Sequence, residues 1–223
     1  MEQASLSQQA YLRLRHEILT CILSPGEVVT ERELAHRYEM SKTPTREALA
    51  QVSHDGLMQR LPGRGYLVAP VTVKDVRDLF DLRLILEVAA AERAARDPQP
   101  AHIALLKEMS RISYTLDDPD SHVAFLAANR SFHLTLAEAA TNRRLVVLLE
   151  GLMIEMDRLF HLGLRLRDSS EEMKREHQEV VAALEQHDIK GVRDAITGQI
   201  ATSRDRILEA IMQGDLPSVQ VGV

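Results

Sequence analysis

Along the first seventy or so residues, apolar positions recur at helical spacing in three bursts and then give way to two short extended runs around a glycine-rich turn. Leu12, Leu19 and Leu23, with Arg15 and His16 between them, lie on one face of a helix expected over 7–23, and Ser24-Pro25-Gly26 stops it. Thr30, with Glu33 three residues on, has the form of a capping box and opens a short helix through Leu34, Ala35 and Tyr38. Ser41 caps a third helix that holds Pro44 in its first turn and runs to about His54, before Asp55-Gly56. Met58 to Leu61 and Tyr66 to Ala69 flank Pro62-Gly63-Arg64-Gly65, the spacing of a hairpin. This order predicts a winged helix-turn-helix.

After Pro70 the texture changes to long helices alone. The periodicity predicts them over 73–96, 102–114, 121–140, 143–164, 169–187 and 189–212. Breaks fall at Asp97-Pro98-Gln99-Pro100 and Asp117-Asp118-Pro119-Asp120, with softer ones at Thr141-Asn142, Asp168 and His187-Asp188. The tail from Gly214 is expected to be loose. The fold class is therefore mainly α, an N-terminal winged helix-turn-helix over 1–70 followed by an all-α antiparallel helical bundle over 71–223.

Composition changes the picture in two places. The single cysteine, Cys21, forms no intrachain disulfide, and no run of apolar residues is long enough for a membrane span. A cytoplasmic chain with no membrane partner is expected. The net charge of −6 argues at first against nucleic acid, but residues 1–70 hold eight Lys/Arg against eight Asp/Glu. The acidity thus belongs to the remainder, and the first part is free to gather a local basic patch.

The start of the third helix, Ser41-Lys-Thr-Pro-Thr-Arg-Glu-Ala-Leu49, gathers groups that bind phosphate. A helix N-terminus offers unpaired N–H groups and the positive end of the dipole. Ser41, Thr43 and Thr45 can donate to backbone oxygens. Lys42 and Arg46, four apart, project from one face. Arg46 can fork onto a guanine edge, whereas Lys42 suits a phosphate. Arg32 opens the preceding helix near the same surface, and Arg64 at the wing tip can enter a minor groove. The competing reading is a plain helix cap with a solvated charged face. The run Glu31-Arg-Glu-Leu-Ala, then SKTPTREAL, then Asp55-Gly56-Leu57 and Pro62-Gly63-Arg64-Gly65-Tyr66 resembles the GntR family of bacterial regulators. The resemblance implies DNA-contacting positions at Arg32, Lys42, Thr43, Arg46 and Gly65. Lys42 stands where arginine is usual, and Thr45 where an aliphatic residue is usual.

In the second part, polar residues interrupt three apolar stripes. They are Asn129 and His133 among Phe125, Phe132 and Leu136; His177 among Met173, Val180 and Val181; and Gln199 and Ser203 among Val192, Ile196 and Ile207. Burying such groups is unfavourable unless they find partners, so the three sites are expected to meet. Arg83, one turn from Leu79 and Leu86, is a natural carboxylate clamp. Each histidine taken singly also fits a hydrogen-bonded core residue. Asp81-Leu-Arg83-Leu-Ile-Leu-Glu87, Asn129-Arg-Ser-Phe-His133 with Asn142, and Glu176-His177 with Ala182-Ala-Leu resemble the FadR-like branch of the family, whose helical FCD domain binds an effector. Many members of that branch hold a divalent metal with an Asp or Asn and three His. By that resemblance Asn129, His133 and His177 are the metal positions, and Gln199 replaces the third histidine. Amide oxygens are weak ligands for zinc-type ions and no carboxylate offsets the charge, so a Zn or Ni site is weakened and no cofactor is required.

The sequence thus predicts a homodimeric transcription regulator, by resemblance more often a repressor, on an inverted-repeat operator in double-stranded DNA. Its effector is expected to be a small acidic metabolite held by Arg83, Asn129, His133, His177 and Gln199. No nucleophile set or phosphate loop stands out, so no enzyme is expected. The rival readings are a metal-dependent helical enzyme carrying a DNA-binding head and a constitutive DNA-binding protein with a vestigial pocket.

Overall fold

The computed structural model describes residues 4–115, 118–164, 169–212 and 219–220. The chain divides between Val73 and Lys74, and again between Gln213 and Gly214, into two compact units.

The first unit follows the predicted order. Helix α1 (Leu6–Leu19) ends four residues before its apolar pattern does, because Cys21 turns into the left-handed region at φ 56°. Strand β1 (Val28–Val29) leads to α2 (Glu31–Arg37), where Thr30 Oγ1 accepts from the Glu33 N–H and Glu33 accepts from the Thr30 N–H, closing the capping box. Helix α3 (Lys42–His54) crosses next, and β2 (Met58–Leu61) and β3 (Gly65–Val68) form the wing. The sheet order is β1-β3-β2, all antiparallel, with Val29 opposite Tyr66 and Leu61 opposite Gly65. Only glycine fits at 65: its φ is 115°, and a Cβ there would lie 2.4 Å from the Val29 carbonyl oxygen. Leu14, Ile18, Leu34, Leu49, Val52 and Val68 form the core. Buried Glu17 of α1 accepts from the Tyr38 hydroxyl at 3.0 Å and ties α2 to that core. Strand β4 (Val71–Thr72) ends the unit and pairs in parallel with β5 (Val219–Gln220). Those two residues of the tail are therefore ordered in a ladder, and the rest of it, 214–218 and 221–223, lies outside the described residues, as do Asp117 and Asp168.

The second unit is helical among the described residues. It contains α4 (Val73–Arg96), α5 (Pro100–Met109), α6 (Pro119–Ala139), α7 (Arg143–Leu164), α8 (Ser170–Glu185) and α9 (Ile189–Met212). Helix α5 ends five residues before its expected limit. Tyr114 leaves the helix to pack on His122 and Phe125, and its hydroxyl accepts from the Ser169 N–H at 2.8 Å. A three-residue link with His187 at φ 54° joins α8 to α9, which makes them an antiparallel pair. His177 and Gln199 are each eleven residues from Asp188, so they stand level on the two helices.

Candidate functional site

The N-terminus of α3 presents its cations to solvent. Ser41 heads the helix without a side-chain cap hydrogen bond, so its hydroxyl is not consumed by capping, and the plain-cap reading loses its main support. Arg32, Lys42, Thr43 and Arg64 are exposed. Arg46 is exposed too, with 67% of its side chain accessible, yet it is already aimed. Its Nε donates to Glu31 Oε2 at 3.0 Å and its Nη2 to Glu31 Oε1 at 2.9 Å. This fork fixes the guanidinium plane before DNA arrives. The Arg46 hydrogen bond holds the Glu31 carboxyl below the usual carboxylate range against the opposing effect of burial, and the charges of Arg46, Lys42 and Arg60 add to it. Arg60, on β2, thus faces the same cluster; it was missed because its strand reads only as wing scaffold. Thr45 corrects the expectation. It is fully buried, and its hydroxyl donates to the Ser41 carbonyl at 3.1 Å, so it supports the helix start and reaches no phosphate. Gly65 serves the close approach of β3 to β1 described above.

In the helical unit, Arg83, Asn129, His133, His177 and Gln199 are all at most 4% exposed. Two of them, Arg83 and His133, meet directly and share Glu87 as a partner. Arg83 Nε donates to Glu87 Oε1 at 2.5 Å, His133 Nδ1 donates to Glu87 Oε2 at 2.6 Å, and Arg83 Nη2 donates to His133 Nε2 at 2.8 Å. The triad closes on itself: α4 supplies a cation and its counter-charge one turn apart, and α6 supplies a neutral imidazole between them. Phe80 and Phe160 cover the guanidinium, with its carbon 5.8 and 5.5 Å from their centroids. The His177 ring lies 5.5 Å from that of His133 and 4.1 Å from Phe132. Asn129 lies one turn before His133 on the same face of α6.

Electrostatics follow from this packing. Burial acts to raise the Glu87 carboxyl, but the Arg83 charge and then His133 outweigh it and hold the group at about 2. Burial is the largest influence on both histidines and lowers them, His177 well below its usual range. The site therefore carries one plus and one minus charge and otherwise neutral groups. Arg83 is not the open carboxylate clamp that its sequence setting suggested, because Glu87 has taken that place. Two buried atoms, His177 Nε2 and Gln199 Oε1, have no hydrogen-bond partner among the described residues.

The residues at the metal positions are poorly suited to hold an ion. Both ring nitrogens of His133 are engaged, Gln199 and Asn129 offer only amides, and no group of three or more His, Cys, Asp or Glu is placed to hold an ion among the described residues. The donors present do not fit a zinc-type centre.

A winged reading head with a bare, cation-lined helix N-terminus, joined to a helical unit with a buried polar cluster, defines a two-part class of DNA-binding transcription regulator. Comparison with known proteins gives the family: residues 6–68 match the bacterial regulatory proteins of the gntR family and residues 78–202 match the FCD domain, and the chain belongs to this family. It is a transcriptional regulator and not an enzyme. It is 28% identical over 195 residues to the HTH-type transcriptional repressor RspR of Escherichia coli K12, covering 86% of this chain and 84% of that protein. It is 24% identical over 218 residues to the gluconate operon transcriptional repressor of Bacillus licheniformis, covering 96% of this chain and 83% of that one. The fold is similar to that of E. coli McbR/YncC, with a TM-score of 0.70 at 23% identity over 93% of this chain and 99% of that chain. No helix among the described residues is long and apolar enough to cross a membrane.

DNA binding should weaken steeply with salt. Arg32, Lys42, Arg46 and Arg64 from two copies would release counterions at up to eight phosphates, a log–log slope approaching roughly −7, and shallower where a cation reads a base instead. A titration from low to moderate salt measures it, and a slope near zero would show that the neutral head does not concentrate its charge.

Proposed function

We propose that this chain is a homodimeric repressor that grips an inverted-repeat operator and changes that grip when a small polar effector enters the cluster between α4, α6, α8 and α9. The second copy would cover the exposed apolar positions Leu82 and Ile85 on α4 and Val147 and Leu148 on α7. A symmetric pair would set two α3 helices about one DNA turn, ~34 Å, apart. Helix α4, which carries Arg83 and Glu87, starts at Val73 directly after β4 of the head.

The observation that carries the effector reading is the pair of unpartnered atoms, His177 Nε2 and Gln199 Oε1, in a site whose charges already cancel. Leaving buried polar atoms unmade costs about 1–3 kcal/mol each, a cost that an entering ligand with matching groups removes. Gln199 Oε1 accepts only, so the ligand must carry a donor there, such as a hydroxyl. We therefore assign a neutral, hydroxyl-bearing effector in preference to the acidic metabolite that a free Arg83 would have drawn. A sugar acid is the second reading, favoured by the resemblance to a gluconate operon repressor. Titrating the DNA-bound chain with a neutral hexitol, the corresponding aldonic acid and succinate separates the two. Our reading expects the hexitol to shift operator affinity and succinate to do nothing. Response to the acids alone would overturn it.

A further inference from the structure

We propose that Arg83 is the resident cation of the helical unit, its guanidinium standing where a divalent ion would draw on His133, so that the site works without a metal. The inference deepens the effector-site reading by stating what holds the site together when no ion does.

The geometry is that of a metal site with a different cation. A ligating histidine commonly donates one ring N–H to a carboxylate, which fixes the tautomer and turns the other nitrogen's lone pair toward the ion. Here His133 donates Nδ1–H to Glu87 Oε2 at 2.6 Å, and its Nε2 lone pair meets Arg83 Nη2 at 2.8 Å. The guanidinium is anchored one turn from Glu87 on the same helix, is 1% exposed, and lies near two aromatic rings. An internal cation so placed blocks an ion twice. It occupies the lone pair that the ion needs, and it puts a fixed positive charge beside any metal that approaches.

This explains Gln199 in a way that ligand strength alone does not. With Arg83 in place, a third imidazole at position 199 has no ion to bind, since the first imidazole is already spoken for. The amide is then free to face a ligand, as its unpartnered Oε1 does. It follows that Gln199→His by itself does not build a zinc centre, whereas Gln199→His together with Arg83→Met does. The double variant frees His133 Nε2, keeps Glu87 behind it as the orienting carboxylate, and adds the new imidazole level with His177.

The test uses the full-length chain with Zn²⁺ alone as probe. Bound zinc is counted after dialysis, and melting is followed with and without the ion for wild type, Gln199→His, Arg83→Met/Gln199→His and Arg83→Met/Glu87→Gln/Gln199→His. The triple variant removes the carboxylate charge left without its arginine, so a site can be sought even if the double variant is unfolded without metal. We expect no retained zinc and no melting shift for wild type or the single variant, and a gain of one retained zinc per chain, with a raised melting temperature, in a multiple variant. Retained stoichiometric zinc in wild type, equal zinc binding by the single variant, or no gain in either multiple variant would overturn the inference. None of these readouts needs the effector or DNA, so a wrong effector class would fail in the hexitol titration and leave this result standing.

Discussion

Arg83→Ala should lower the stability of the helical unit by about 3–5 kcal/mol, the usual consequence of stripping one partner from a buried ion pair. Glu87 is 1% exposed and would keep only His133 as a partner. For a unit of this size the change corresponds to roughly 10–15 °C in melting temperature. Arg83→Met/Glu87→Leu should recover much of the loss, because replacing both charges by apolar groups removes the stranded carboxylate. Acid should act on the same pair. Glu87 titrates at about 2 in the folded chain against an ordinary 4.5, so its contribution is complete above pH 4.5 and is lost as the pH falls toward 2. Denaturant melts from pH 5 to 2 should show that loss in wild type and a flatter limb in Glu87→Gln. A melting temperature within a few degrees of wild type for Arg83→Ala would mean that the triad carries little of the unit's stability.

Arg46→Ala should abolish specific operator binding while the fold stays intact. The side chain is exposed and makes no contact with the core, so nothing in the head depends on it beyond the Glu31 pair, and surface pairs of this kind contribute little to stability. Its value lies in readout. A bidentate arginine discriminates by ~1–3 kcal/mol, and two copies per dimer give roughly 2–6 kcal/mol, a loss of about 30-fold to over 10⁴-fold. The variant also leaves Glu31 facing the DNA without its cation, which adds repulsion. Thr45→Val should change stability and leave affinity for DNA nearly as it was, because the residue is buried. Unchanged binding by Arg46→Ala would remove α3 as the reading helix.

Much of this was legible in the chain because local rules and tertiary demands agree. Helices 73–96, 143–164 and 189–212 begin and end where the pattern places them. Strand β1 was not legible, since two residues carry no period and its pairing with Tyr66 and Leu67 is long-range. Thr45 misled because a hydroxyl in the first turn reads as available until the packing of α3 turns it inward. The inward stripes correctly marked Asn129, His133, His177 and Gln199 as buried, but periodicity gives only a face, not a partner. Glu87 is the instructive omission. It lies four residues from Arg83 on the same apolar face, and that spacing alone predicts an intrahelical pair. Its presence turns a free clamp into a closed triad and changes the chemistry expected of the whole site.

The most direct test of the account is selection of bound sequences from random DNA duplexes by the purified chain, with Arg46→Ala run beside it. Wild type should enrich an inverted repeat whose half-sites lie about one helical turn apart and contain a guanine that the variant no longer selects. Enrichment of a single unpaired half-site, the same motif from both proteins, or no enrichment at all would contradict it.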